Sequence, residues 1–168
     1  MRGESAVGTP DRQRTTLLKI ADAASRTTWL DALLVVGSLA DGAADALSDI
    51  DLLVIVHEGA FDQAWAERET LRVTGTLCAW DQHKDQDAEV AAHRWLTPDL
   101  VLVEALIATP ASGVRLADPW ELVAGRSDAP AGLTRRPPIA RSELDATQPH
   151  PVEMAYDEFK SRVRRACS

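Results

Sequence analysis

The residues best equipped for chemistry lie between positions 35 and 53. The run Val35-Val36-Gly37-Ser38-Leu39-Ala40-Asp41-Gly42 is followed, after Ala43 to Ser48, by Asp49-Ile50-Asp51-Leu52-Leu53. An apolar run that ends in Gly-Ser predicts a strand giving way to a turn that opens a short helix. Backbone N–H groups and a hydroxyl then point into one space, which suits a phosphate. Gly37 matters because its missing side chain lets a ligand approach the backbone closely. Ten residues separate Ser38 from Asp49. Side chains alternate across a strand, so Asp49 and Asp51 are expected on one face, with Ile50 turned into the core. Two carboxylates on one face beside a phosphate cradle repel unless a cation sits between them. Magnesium suits the place, since it takes oxygen ligands from a few carboxylates and substrate phosphates. A pair of such ions would activate an attacking hydroxyl and stabilise departing pyrophosphate.

The Gly-Ser, ten-residue gap, Asp-Ile-Asp pattern resembles the signature of the DNA-polymerase-β-like nucleotidyltransferase superfamily. Gly37-Ser38-x-x-Asp41-Gly42 followed by Ser48-Asp49-Ile50-Asp51-Leu52-Leu53 is especially similar to aminoglycoside (streptomycin-type) adenylyltransferases and minimal nucleotidyltransferases. The resemblance is strong over Leu33 to Val56 and looser to about Val123. It implies that Gly37 and Ser38 hold the triphosphate and that Asp49 and Asp51 bind Mg²⁺. It also implies a third carboxylate from a later strand, as metal ligand or as base toward the acceptor hydroxyl. Glu104 is the first choice, because a charge inside the apolar run Leu100 to Ala108 is costly unless paired or metal-bound. Asp99, beside Pro98, is the alternative. The implied co-substrate is ATP or another nucleoside triphosphate. The implied acceptor is a hydroxyl on an aminoglycoside-like small molecule or, as in antitoxin relatives, on a partner toxin. A homodimer that completes the acceptor site and a catalytically silent nucleotide-binding protein are the other readings.

Positioning these residues calls for a small mixed α/β (α+β) domain, with a mixed β-sheet flanked by helices. Apolar residues at three- and four-residue spacing predict a helix from Arg14 to about Arg26. Strands are expected at Asp31 to Val36, Ile50 to Val56 and Leu100 to Ala108. A helix is expected over Ala60 to Val73 and a weaker strand over Gly75 to Trp80. Val90 to Trp95 reads as a strand or a short helix, and Leu116 to Val123 as a short edge element. Asp81 to Glu89 reads as an exposed polar loop. The expected organisation is a flexible N-terminus over 1–12, a catalytic domain over 13–125, a proline-rich arm over 126–151 and a C-terminal helix over 152–168. Asp41 and Ser48 are read as local caps. Arg115 and Lys84 are within conceivable reach of a triphosphate without any feature that selects them, and the four histidines lack ligand spacing.

Bulk properties narrow the function classes. The chain has 168 residues, enough for one domain, and 45% of them are hydrophobic. A net charge of −8 argues against a broad nucleic-acid or anionic-membrane surface. It is compatible with a single nucleotide held through a metal ion. Cys78 and Cys167 lie far apart and outside any CxxC pair, which fits a reducing compartment and no zinc site. An N-terminus without an apolar stretch points to a cytoplasmic location.

Overall fold

The computed structural model describes residues 10–136; the remainder, including the expected C-terminal helix and most of the proline-rich arm, lies outside the described residues. The fold is mixed α+β. Helix α1 (Asp11–Ala24) precedes β1 (Leu30–Val36) and β2 (Ile50–Val56). Helix α2 (Phe61–Ala66) continues into a 3₁₀ turn over Arg68–Leu71. Strands β3 (Cys78–Asp85), β4 (Val90–Leu96) and β5 (Leu102–Ala108) follow, then β6 (Arg115–Ala117), β7 (Glu121–Gly125) and β8 (Thr134–Arg136). Six strands form one sheet in the order β3-β4-β5-β2-β1-β7, and β6 pairs with β8 separately. Among the described residues, the β2–β5 pairing is parallel and the other pairings of the large sheet are antiparallel.

The period-2 pattern of the central strands divides the core in two. Leu33, Val35, Ile50, Leu52, Val54, Val103, Ala105 and Ile107 pack beneath the helices, joined by Ile20 of α1 and Phe61 of α2. The opposite face, carrying Leu34, Leu53, Ile55 and Ala108, is covered instead by Leu116, Ala129 and Leu133. No helix lies on that second face among the described residues. Residues 126–136 therefore pack on the sheet, tied to it by the Arg126 amide bonding to the Asp31 carbonyl at 2.8 Å.

Four local expectations are corrected. The Ser38–Asp45 segment forms turns, not a helix. Gly42 adopts φ +72° and the Asp41 carboxylate captures the Ala43 amide at 2.8 Å, so the chain closes a turn where a helix would need its own ladder. The Ala60–Val73 helix stops at Ala66. There the Arg68 guanidinium bonds to the Trp65 carbonyl at 2.8 Å, and the backbone tightens to 3₁₀ geometry. Asp81 to Asp85 is no loop: it completes β3 and is laddered to β4. Its polarity reflects an edge strand, where charge discourages pairing with another chain. The Leu116–Val123 element is really two strands, β6 on the small sheet and β7 on the edge beside β1.

Candidate active site

Strand register gathers the charged residues into one row. Val36 on β1 stands opposite Asp51 on β2. Asp51 stands beside Glu104 on β5, and Glu104 opposite Arg94 on β4. All four belong to the helix-free face, because their alternate neighbours, Val35, Leu52, Val103 and Trp95, are buried under the helices. A cleft of about 290 Å³ opens on this face. Its floor is apolar (Val36, Leu53, Leu106), its near wall carries Gly37, Asp51 and Glu104, and β6 closes it with Arg115 and Leu116.

Gly37 follows β1 directly, with φ +70°, a conformation that glycine adopts freely. A Cβ there would stand 2.7 Å from Asp51 Oδ2, so the glycine backbone lies directly against the Asp51 carboxylate. Ser38 follows, half-buried, in a turn where its carbonyl accepts from the Ala43 amide at 3.0 Å. Asp49 is exposed, one residue ahead of β2. Asp99 lies exposed in the β4–β5 connection and does not line the cleft.

Electrostatics single out Asp51. Burial, then the charge of Glu104, then that of Asp49, push its carboxyl from 3.8 up to about 6, with Arg94 pulling the other way. A carboxylate crowded by two others is a natural ligand for a hard cation. Among the described residues, no three His, Cys, Asp or Glu side chains are grouped closely enough to form a metal cage by themselves. Glu104 is engaged elsewhere, since Arg94 Nη2 meets its Oε2 at 2.6 Å. The donor set thus fits a cation that takes part of its shell from a substrate.

Arg94 is the residue that sequence reading missed, and Arg115 is the one it left unselected. The signal for Arg94 was present: like Glu104, it interrupts an apolar run, Val90-Ala91-Ala92-His93-Arg94-Trp95-Leu96. Two opposite charges in neighbouring apolar strands are best explained by each other. Arg94 is only 8% exposed. His93, expected to have no role as a ligand, is buried on the helix side. Its Nδ1 lies 2.7 Å from Asp81, and its Nε2 accepts from Arg72 Nε at 3.0 Å.

A comparison with protein-family models matches residues 17–106 to the model described as "Nucleotidyltransferase domain". That span runs from α1 through Leu106 and includes Gly37, Ser38, Asp49, Asp51 and Glu104. No curated protein matches the chain.

Proposed function

Because the chain belongs to the nucleotidyltransferase domain family, we propose that it transfers a nucleoside monophosphate, AMP from ATP in the first instance, to a hydroxyl of an aminoglycoside-like small molecule. The observation that carries this reading is the position of Asp51. It faces the cleft with the Gly37 backbone against its carboxylate, Glu104 beside it in register, and a pKa raised first by burial and then by its carboxylate neighbours.

In this reading Asp49 and Asp51 hold Mg²⁺, which when bound neutralises the triphosphate and favours ionisation of the acceptor hydroxyl. The turn at Gly37-Ser38 supplies backbone N–H groups and a hydroxyl to the β- and γ-phosphates. Arg115, which lines the same cleft, would offer its charge to those phosphates. Glu104, fixed through Oε2 by Arg94, receives the acceptor proton on its second carboxylate oxygen. The acceptor oxygen then forms its bond to the α-phosphorus as the bond from phosphorus to pyrophosphate breaks, and pyrophosphate leaves with its electron pair. The apolar floor of Val36, Leu53 and Leu106 gives the non-reacting part of a ligand a surface to cover.

The test is intact-mass analysis of candidate acceptors incubated with ATP and Mg²⁺, in parallel with pyrophosphate release. Addition of one AMP to a small hydroxylated acceptor supports the reading, and addition to a protein tyrosine redirects it to a partner toxin. ATP binding without pyrophosphate release across the acceptor panel would make the chain a silent nucleotide-binding protein.

A further inference from the structure

The buried stripe of α1 begins with a polar residue. Gln13, Thr16, Ile20 and Ala24 are the helix's buried positions, and Gln13 is 1% exposed. An apolar side chain is the ordinary occupant of such a position, since an amide taken out of water is costly unless it is hydrogen-bonded. Gln13 Nε2 lies 3.2 Å from the Asp45 carbonyl, 3.3 Å from that of Ala46 and 2.9 Å from that of Ser48. Three carbonyl oxygens around one terminal atom identify that atom as the NH₂ group, because the amide oxygen would be repelled by all three.

These carbonyls belong to the irregular segment that delivers Asp49. Asp45 and Ser48 shape it locally. The Leu47 amide and the Ser48 hydroxyl both bond to Asp45 Oδ1, at 2.9 and 3.0 Å, and the Asp45 amide bonds to Ser48 Oγ at 2.9 Å. Such bonds fix the shape of a turn but not its place on the protein. Gln13 supplies the place. Its shortest bond goes to the Ser48 carbonyl, the oxygen of the peptide unit whose nitrogen belongs to Asp49. A peptide unit is planar, so holding that oxygen also constrains the direction in which the Asp49 backbone departs.

We infer that Gln13 is a positioning residue, which anchors the Asp45–Ser48 segment to α1 and so sets where Asp49 stands relative to Asp51. The inference rests on the proposed metal-binding role of the two aspartates. The balance of stability agrees with a positioning role. The other end of the amide, Oε1, is buried with no hydrogen-bond partner among the described residues, so the glutamine's bonded end is offset by an unsatisfied one. The segment's residues 45–47 are exposed, so water is at hand for their carbonyls when Gln13 is removed.

Two variants test this on the full chain. Gln13→Met keeps the length and loses the donors, whereas Gln13→Lys keeps donors at similar reach. Hydrogen exchange of the metal-free proteins reads the segment directly. Amides of residues 43–50 exchange faster in Gln13→Met, return toward wild type in Gln13→Lys, and the β4–β5 ladder is unchanged in both. Mn²⁺, titrated as a paramagnetic probe, binds Gln13→Met about tenfold more weakly, in line with the 10–100-fold cost of disturbing a ligand's support. In turnover assays kcat falls by a similar factor, with little change in KM. Exchange as slow in Gln13→Met as in wild type overturns the inference, and so does a lysine variant as loose as the methionine one. Wild-type protein that takes up no Mn²⁺ sinks the metal reading instead, leaving the exchange result to decide whether Gln13 holds the segment.

Discussion

Arg94 reaches across from β4 to Glu104 on β5, with Nη2 2.6 Å from Oε2. The pair is unevenly placed: the arginine side chain is 10% exposed and the glutamate 35%. Two further Arg94 nitrogens, Nε and Nη1, are buried without hydrogen-bond partners among the described residues. Glu104 thus provides the counter-charge that makes a buried guanidinium tolerable.

Removing one partner should therefore be asymmetric. Glu104→Gln leaves a buried cation with only Asp51, among the described residues, as nearby counter-charge and costs about 2–4 kcal/mol, close to the usual ~3–5 kcal/mol for breaking a buried pair. Arg94→Met leaves a carboxylate with access to water and costs less, about 1–2 kcal/mol. Urea denaturation of the two variants checks the order. Equal losses, or a larger loss for Arg94→Met, would refute this account of the pair.

Asp51→Asn should separate activity from stability. It removes a charge that its neighbours disfavour, so the metal-free variant unfolds at the same or higher temperature than wild type. Nucleotidyl transfer falls by more than the ~10–100-fold typical of disturbing a ligand's support. Calorimetry and a pyrophosphate assay on one preparation suffice, and unimpaired transfer would remove Asp51 from the mechanism.

The pH dependence of stability carries a recognisable sign. With Asp51 raised from 3.8 to about 6, the folded protein between those values keeps a proton that the unfolded chain has released. Acidification through that window therefore stabilises the fold, and raising the pH removes the gain, on the order of 3 kcal/mol in all. A bound cation offsets the cost of a buried negative charge crowded by Glu104 and Asp49, so added Mg²⁺ raises Tm more at pH 7.5 than at pH 5. Thermal shifts at the two pH values test this, and equal shifts would count against a cation at Asp51.

His93 pulls in the opposite direction. Burial is the largest influence on it and, despite the Asp81 contact, holds its pKa below 6.5. The unfolded chain then takes up a proton first as pH falls through 6.5, and the fold loses stability on acidification. In an Asp51→Asn background this slope stands clear just below pH 6.5, above the range in which the lowered carboxyls of Asp45 and Asp81 titrate. Adding His93→Gln abolishes the slope and costs about 1–3 kcal/mol, because Asp81 and Arg72 lose a buried partner. Persistence of the slope in the double variant would assign it to another group.

Gly37→Ala should harm catalysis more than folding. The added Cβ meets Asp51 Oδ2 at 2.7 Å, and the φ of +70° is unfavourable for alanine. The backbone cost is about 1–2 kcal/mol. The carboxylate can turn aside, which limits the structural damage but moves the group that faces the cleft. Tm falls by a few degrees while transfer drops at least about tenfold; a variant with wild-type turnover would show that this close approach is immaterial.

Elements that repeat with a clear period, and the motif whose residues lie close in the chain, could be read directly from residue order. The apolar runs ending at Val36 and starting at Ile50 had to be buried strands. Asp49 and Asp51 are two residues apart, so strand alternation alone predicts them on one face, whereas the contact of Gly37 with Asp51 depends on the β1–β2 register. Glu104 was legible for a different reason, as a charge that an apolar strand does not tolerate without cause. Tertiary structure decided everything that depends on which strands are neighbours. Only the β2–β5 and β4–β5 registers bring Glu104 beside Asp51 and give it Arg94 as a partner. Only the packing of α1 carries Gln13 to the carbonyls ahead of Asp49, 32 to 35 residues further along the chain. Hydrophobic pattern specifies which face of an element is buried, but it is nearly blind to which polar groups will meet there, because those meetings are fixed by the geometry of elements distant in sequence.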